Sequence, residues 1–100
     1  MTKYEVLVSE QAQKDLKEVA NYLSSNLLKP NVARSILFEI DKSILSLEEM
    51  PYRCHSVADN LLKKVGIRKL IVKNYIVFFK VYETKKAICV VRIMYARRNR

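Results

Sequence analysis

The sequence predicts a single α+β domain of element order β-α-α-β-β-β, in which a helical hairpin packs on a curved, mainly antiparallel sheet. Apolar residues recur twice with helical spacing within residues 9–50. Three runs rich in β-forming residues follow within residues 67–94, and turns of two to four residues separate them. With 100 residues, half of them hydrophobic, the chain can build one core but not two. We therefore expect residues 1–100 to form one domain.

The first strand is expected at residues 4–8 and leads directly into the first helix. Tyr4, Val6 and Val8 share one side of this strand. Ser9 is a suitable helix N-cap, and Glu10 places a negative charge in the first turn. The residues that follow predict an amphipathic helix. Its apolar stripe is Ala12, Leu16, Val19, Ala20, Leu23 and Leu27, and its polar face is Lys14, Asp15, Lys17 and Glu18.

The second helix is expected to begin at Pro30 and to end by Met50. Proline is tolerated in a first helical turn, and Pro51 disfavours helical geometry in the residue before it. The second apolar stripe is Ala33, Ile36, Leu37, Ile40, Ile44 and Leu47. Because each stripe is wide enough to pack on something larger, both helices are expected to lie against the sheet, the alternative being that part of the first helix is left for a partner.

An irregular stretch at residues 51–65 precedes three strands. We expect these strands at residues 67–72, 75–82 and 87–94, joined as an antiparallel meander by two short turns. The middle run is apolar on both sides, which is typical of a central strand. Aromatic residues at packing positions are interpreted as core or core-edge residues, namely Tyr22, Phe38, Tyr75, Phe78 and Phe79.

Positive charge is concentrated in the second half of the chain. Residues 1–50 hold six Lys/Arg and eight Asp/Glu, whereas residues 51–100 hold thirteen and two, so the halves carry −2 and +11. This asymmetry favours a surface that meets phosphate or an acidic protein segment, the alternative being a merely solvated surface. The six cations expected to form that surface are Arg68, Lys69, Lys80, Arg92, Arg97 and Arg98.

Other features of the composition exclude several classes of protein. The longest apolar stretch is five residues, which excludes a membrane-spanning helix, and the start lacks a signal-peptide core, so we expect a cytoplasmic protein with no membrane partner. Cys54 and Cys89 are then expected as free thiols. One histidine and two separated cysteines offer no metal-ligand cluster, and we expect no metal or other cofactor.

Four segments carry a resemblance that spans nearly the whole chain. They are the first strand with residues 9–16 (SEQAQKDL), the helical run 33–50, residues 66–81 (GIRKLIVKNYIVFFKV) and residues 91–98 (VRIMYARR). In order, spacing and total length they resemble the RelE/ParE superfamily, the toxins of bacterial type II toxin–antitoxin pairs. The resemblance implies the same β-α-α-β-β-β fold and a cognate acidic antitoxin as partner.

The resemblance also implies two classes of target. RelE-like members cut mRNA on the ribosome with strand lysines, two arginines and a C-terminal tyrosine, whereas ParE-like members poison DNA gyrase and have no established catalytic residues. Lys69 and Arg98 match two of the nuclease positions. Where the nuclease pattern has its second strand lysine this sequence has Ile67, and where the pattern has the arginine of the middle strand it has Ile76. The chain also stops at Arg100, before the position of the tyrosine. The ParE-like branch is therefore favoured.

Three further residues bear on the nuclease alternative. If the chain cleaves RNA, the candidate residues are Lys69 and Arg98 with Arg68 and Tyr95. The ordinary pKa of tyrosine, about 10, makes Tyr95 a poor proton carrier unless cations lower it, and we interpret it as a strand-end aromatic. His55 lies in an unpatterned stretch and is interpreted as a loop histidine.

The sequence thus predicts a ParE-like toxin that inhibits growth by binding its target, with gyrase as the target that the resemblance implies. The alternatives are a metal-independent, RelE-like mRNA endonuclease acting on the ribosome, and an inactive relative that only binds antitoxin. Ile76 and the short C-terminus favour the first of the three hypotheses.

Overall fold

The computed structural model describes residues 3–26, 30–49, 51–53 and 64–96. Within them the elements are β1 (Glu5–Val8), α1 (Glu10–Asn26), α2 (Pro30–Ser46), a 3₁₀ turn (Pro51–Arg53), β2 (Ile67–Val72), β3 (Tyr75–Tyr82) and β4 (Ala87–Tyr95). The predicted element order is confirmed. The bounds of β2 and β3 are those predicted, and β4 is one residue longer.

The four strands form one sheet in the order β1-β4-β3-β2. Strands β2, β3 and β4 are antiparallel neighbours, which confirms the meander, and β1 pairs in parallel with the first half of β4. The β1 pairing covers only residues 87–90 of β4. The outer edge of β4 beyond Val90 therefore has no strand partner among the described residues.

The two helices cover one face of the sheet, with α1 over β4 and α2 over β2. Ser9 caps α1 as predicted, since its side-chain oxygen accepts the Ala12 N–H at 3.1 Å. The core between the layers is apolar, and Ala12, Ile40, Val77, Phe79 and Ile88 are fully buried in it. Burial of these side chains fixes which face of each strand points inward.

A β-bulge in β4 changes which residues of that strand face the helices. Phe79 stands opposite Val90, but Phe78 stands opposite Arg92, so Val91 has no partner on β3. The residues of β4 that belong to the core are therefore Ile88 and Val90 before the bulge and Ile93 after it. The bulge lies next to the junction between β1 and α1. The Ser9 N–H at that junction donates to the Val90 carbonyl, just before the bulge, at 2.9 Å.

Two assignments made from helical spacing were wrong. Asp15 was placed on the polar face of α1, yet it is 4% exposed and lies against β4. Phe38, expected in the core or at its edge, is 63% exposed on α2. Tyr22, from the same group, is 58% exposed but lies at the edge of the core beside the buried Tyr75. Tyr75 and Phe79 are buried as predicted, and Phe78 is half-buried.

Candidate functional site

The face of the sheet turned away from the helices is not covered by α1 or α2, and we call it the open face. The strand register assigns its residues, since directly paired residues point to the same side. From β1 and β2 it takes Glu5, Leu7, Ile67, Lys69 and Ile71, and from β3 and β4 it takes Ile76, Phe78, Lys80, Tyr82, Ala87, Cys89 and Met94. Arg92, which pairs with Phe78, also starts on this side, but its guanidinium reaches Asp15 of α1 at the unpaired edge of β4.

Two of the predicted cations, Lys69 and Lys80, share this open face. Lys69 pairs with Phe78 and Lys80 pairs with Ile67, which makes the two lysines diagonal neighbours across β2 and β3. Diagonal neighbours on one face are about 7 Å apart. The Lys80 Nζ lies 5.1 Å from the centre of the Tyr82 ring, a cation–π contact that holds its ammonium group on the face.

An apolar row lies beside the lysines. Ile71, Ile76 and Met94 are paired across β2, β3 and β4, and Ile71 and Met94 are 63% and 45% exposed. Exposed apolar side chains that form a continuous row next to charged groups are typical of a surface that binds a protein. The open face therefore combines positive charge with apolar contact area.

Arg68 leaves β2 on the opposite side from Lys69, at the end of the sheet near the 3₁₀ turn. Its guanidinium carbon lies 4.9 Å from the centre of the Tyr52 ring. The Tyr52 hydroxyl donates to Glu83 at 2.7 Å, and the Tyr4 hydroxyl donates to the same carboxylate at 2.8 Å. This group of side chains joins the start of the chain, the 3₁₀ turn and the β3–β4 turn.

Glu83 is the acidic centre of that group. Hydrogen bonds from Lys86, Tyr52 and Tyr4 lower the pKa of Glu83 to about 2. The same contact with Glu83 raises the pKa of Lys86 above its ordinary value. Because Glu83 is exposed, these contacts act in a solvated and salt-screened environment.

Arg92 is held by the buried carboxylate of Asp15. Its Nε donates to one Asp15 oxygen at 2.8 Å and its Nη2 donates to the other at 3.2 Å. Asp15 also accepts the backbone N–H of Ile93 at 2.9 Å and the side-chain amide of Gln11 at 3.1 Å. The carboxylate thus satisfies a backbone donor on the unpaired edge of β4 and fixes α1 against that edge.

The pKa of Asp15 reflects two opposing effects. Burial by itself raises the pKa, but the hydrogen bonds from Arg92, Ile93 and Gln11, together with the charge of Arg92, outweigh it and hold the pKa below its ordinary value. Sequence reasoning missed this partnership. A signal was present, because Asp15 comes three residues after Ala12 and four before Val19, both of which are buried in the core.

The candidate nuclease residues are not brought together within the described part of the chain. Tyr95 pairs with Tyr75 on the helix-covered side, ring centres 5.5 Å apart, whereas Lys69 lies on the open face. Arg68 lies on the side of Tyr95, but its pairing with Phe79 puts it near the other end of the sheet. Arg97, Arg98 and His55 lie outside the described residues.

Three other properties of the described residues bear on the site. Cys89 is a free thiol, as predicted, and Cys54 lies outside the described residues. Across residues 3–26, 30–49, 51–53 and 64–96, no His, Cys, Asp and Glu side chains gather into a group of three that could hold a metal ion. Neither α1 nor α2 is long and apolar enough to cross a bilayer, and the described residues contain no other helix that is.

Solved structures with the same fold come from toxin–antitoxin systems. The chain resembles one from the chromosomal ParDE system of P. aeruginosa with a TM-score of 0.74 and 18% identity, covering 95% of this chain and 98% of that one. It resembles one from the RelBE2 complex of Mycobacterium tuberculosis with a TM-score of 0.65 and 15% identity, covering 94% and 99%. It resembles one from the intact RelBE complex of E. coli with a TM-score of 0.60 and 16% identity, covering 95% of this chain and 99% of that one.

A sequence comparison extends this likeness beyond the fold. No curated protein matches the chain. The family model of the ParE toxin of the type II toxin–antitoxin system parDE, however, matches residues 6–100, from β1 to the last residue. The chain therefore belongs to the ParE toxin family.

Proposed function

We propose that this toxin inhibits growth by binding DNA gyrase through the open face of its sheet, and that a cognate acidic antitoxin neutralises it. The observation that carries the proposal is the composition of that face. Lys69 and Lys80 lie beside the apolar row of Ile71, Ile76 and Met94, in which Ile71 and Met94 are exposed and Ile76 is half-buried. A surface of this kind suits a protein partner that offers acidic and apolar groups together.

Ile76 is the residue that separates this function from RNA cleavage. It occupies the position where the resemblance to ribosome-dependent nucleases calls for an arginine, and its neighbours in the row are also apolar. A nuclease must place cations and an acid or base around one phosphate. Lys69 lies on the open face, whereas Arg68 and Tyr95 lie on the other side of the sheet, so these three side chains do not surround one phosphate.

Among the six predicted cations, Lys69 and Lys80 carry the proposed contact with the target. Arg68 leaves β2 on the helix-covered side, and the Arg92 guanidinium is bound to Asp15, so neither arginine offers its charge on the open face. We assign Arg97 and Arg98 to the same basic surface on charge alone. A cation engaged inside the protein loses part of its attraction for an external carboxylate.

An acidic antitoxin fits the charge of the chain. The second half of the sequence carries +11, and a disordered acidic segment that folds on binding would be drawn to it by long-range attraction. The solved neighbours from M. tuberculosis and E. coli are toxin–antitoxin complexes, which supports the same kind of partner here. With gyrase as target, the place of action is the cytoplasm.

Controlled expression with two parallel readouts tests the proposed target. Gyrase-dependent DNA breaks should accumulate after induction, while ribosome-bound mRNA stays intact. Cleaved transcripts with intact DNA would instead establish a RelE-like endonuclease. Normal growth, intact DNA and intact mRNA, together with tight binding to the antitoxin, would establish an inactive antitoxin-binding relative.

A further inference from the structure

A cavity of about 430 Å³ lies between α1 and the second half of β4, at the unpaired edge of that strand. It meets the open face at Met94, which belongs to both. Its size is at the small end of the ordinary range of ligand pockets, about 300–1,000 Å³. Residues of α1, the start of β3 and the end of β4 line it, and the residues that matter here are Asp15, Glu18, Tyr22, Tyr75, Arg92 and Tyr95.

Three of the chain's six tyrosines line this one cavity. Tyr75 is 5% exposed and lies at its base, whereas Tyr22 and Tyr95 are 58% and 59% exposed and form its sides. The Tyr75 and Tyr95 rings meet edge to face, with centres 5.5 Å apart and planes at 70°. Rings set at a steep angle to one another present both a face and an edge to whatever enters between them.

The cavity is negatively charged although the protein is strongly positive. Its lining holds two carboxylates, Asp15 and Glu18, and one cation, Arg92. The Arg92 guanidinium already uses its Nε and Nη2 on Asp15, at 2.8 and 3.2 Å. Glu18 is exposed and adds a negative charge near that pair, so the lining carries a net charge of −1 on a chain of +9.

Tyrosine faces beside a carboxylate are the usual surroundings of a bound organic cation. A guanidinium group suits them better than an ammonium group, because it is planar, stacks on aromatic rings and can donate two hydrogen bonds to one carboxylate. The aliphatic stem of such a side chain would also find apolar contacts in Val19, Ile93 and Met94.

We infer that this cavity binds an arginine side chain presented by a partner polypeptide, with Glu18 pairing with the guanidinium and the rings of Tyr22 and Tyr95 enclosing it. The occupant is thus opposite in charge to the ligand of the open face. Because the cavity and the open face meet at Met94, one partner with both acidic and basic residues would contact the two surfaces together.

Titration with a single amino-acid derivative tests this inference independently of the toxin's target. N-acetyl-arginine amide should shift the ring resonances of Tyr22, Tyr75 and Tyr95 in NMR spectra, with a dissociation constant of about 10–100 mM, as expected for one cation–π contact and one exposed ion pair. N-acetyl-citrulline amide has nearly the same shape without the charge and should bind at least about tenfold more weakly.

A matched pair of variants localises the effect. Glu18→Gln keeps the shape of an exposed side chain and should weaken arginine binding by about threefold to tenfold. Glu10→Gln removes one acidic group from the same helix outside the cavity and should leave binding unchanged. Equal binding of the arginine and citrulline derivatives, equal losses in the two variants, or unmoved tyrosine resonances would overturn the inference.

Discussion

The two faces of the sheet differ in what their charged groups do. On the helix-covered face the buried carboxylate of Asp15 is bound by Arg92, by Gln11 and by the backbone of Ile93. On the open face Lys69 and Lys80 are half-buried beside an apolar row whose outer residues, Ile71 and Met94, are exposed. The comparison indicates that charge on the covered face stabilises the fold, whereas charge on the open face is available to a partner.

The largest effect on stability is expected from Asp15→Ala. This change leaves the Ile93 N–H without its acceptor and Arg92 without its partner, and it should lower the free energy of unfolding by about 2–4 kcal/mol. Urea denaturation measures the loss. Asp41→Ala, at an exposed position of α2, is the control and should change the free energy by less than about 0.5 kcal/mol. Equal losses would show that the covered face does not depend on this carboxylate.

Asp15 and Glu83 both have a lowered pKa, but acid and salt should distinguish what each carboxylate contributes to stability. A lowered pKa gives stability that is present above the unfolded-state value and is lost as the pH falls, so the contribution of Asp15 declines below 3.8 and that of Glu83 declines from 4.5 towards about 2. Salt at about 0.5 M should remove most of the effect of Glu83→Gln, which is exposed, but little of the effect of Asp15→Asn. Unfolding curves from about pH 6 to about pH 2 check both, and equal screening would contradict the difference in burial.

The smallest effect on stability is expected on the open face. Lys69→Gln with Lys80→Gln should change the free energy of unfolding by no more than about 0.5 kcal/mol, yet it should abolish growth inhibition because the target loses its cationic contacts. Lys14→Gln with Lys17→Gln removes the same charge from the exposed side of α1 and should leave inhibition intact. Full toxicity of the open-face variant would place the target contact elsewhere.

Antitoxin binding should be faster at low salt than at high salt. Raising the salt from about 50 mM to about 500 mM should slow association by roughly tenfold, since charge attraction accelerates the encounter and salt screens it. Stopped-flow mixing of the two purified proteins measures the rate. Equal rates at both concentrations would count against charge-driven capture.

Local patterns predicted most of the fold. The bounds of β2 and β3 follow from short turns between runs of β-branched and aromatic residues, and the N-cap Ser9 and the first-turn Pro30 mark the helix starts. The parallel pairing of β1 with β4 and the bulge beside Phe78 could not be predicted, because they depend on contacts between residues that are far apart in the sequence.

The candidate site was predictable only in part. Alternation along β2 correctly indicates that Arg68 and Lys69 point to opposite sides, but it does not say which side the helices cover. The helical pattern assigns Asp15 to the polar face of α1, because a charged side chain is usually exposed unless it has a buried partner. Its burial depends on a backbone donor in β4, which no local pattern reveals.

The central claim is that the open face binds gyrase, and the most direct test is the formation of gyrase-dependent DNA breaks by the purified toxin. Wild-type protein should stabilise such breaks, and Phe38→Asp, which alters an exposed apolar residue of α2, should do the same. Ile76→Asp should abolish them while the protein stays folded by circular dichroism. Unaffected gyrase together with cleaved mRNA on purified ribosomes, or an Ile76→Asp variant as active as the wild type, would contradict the account.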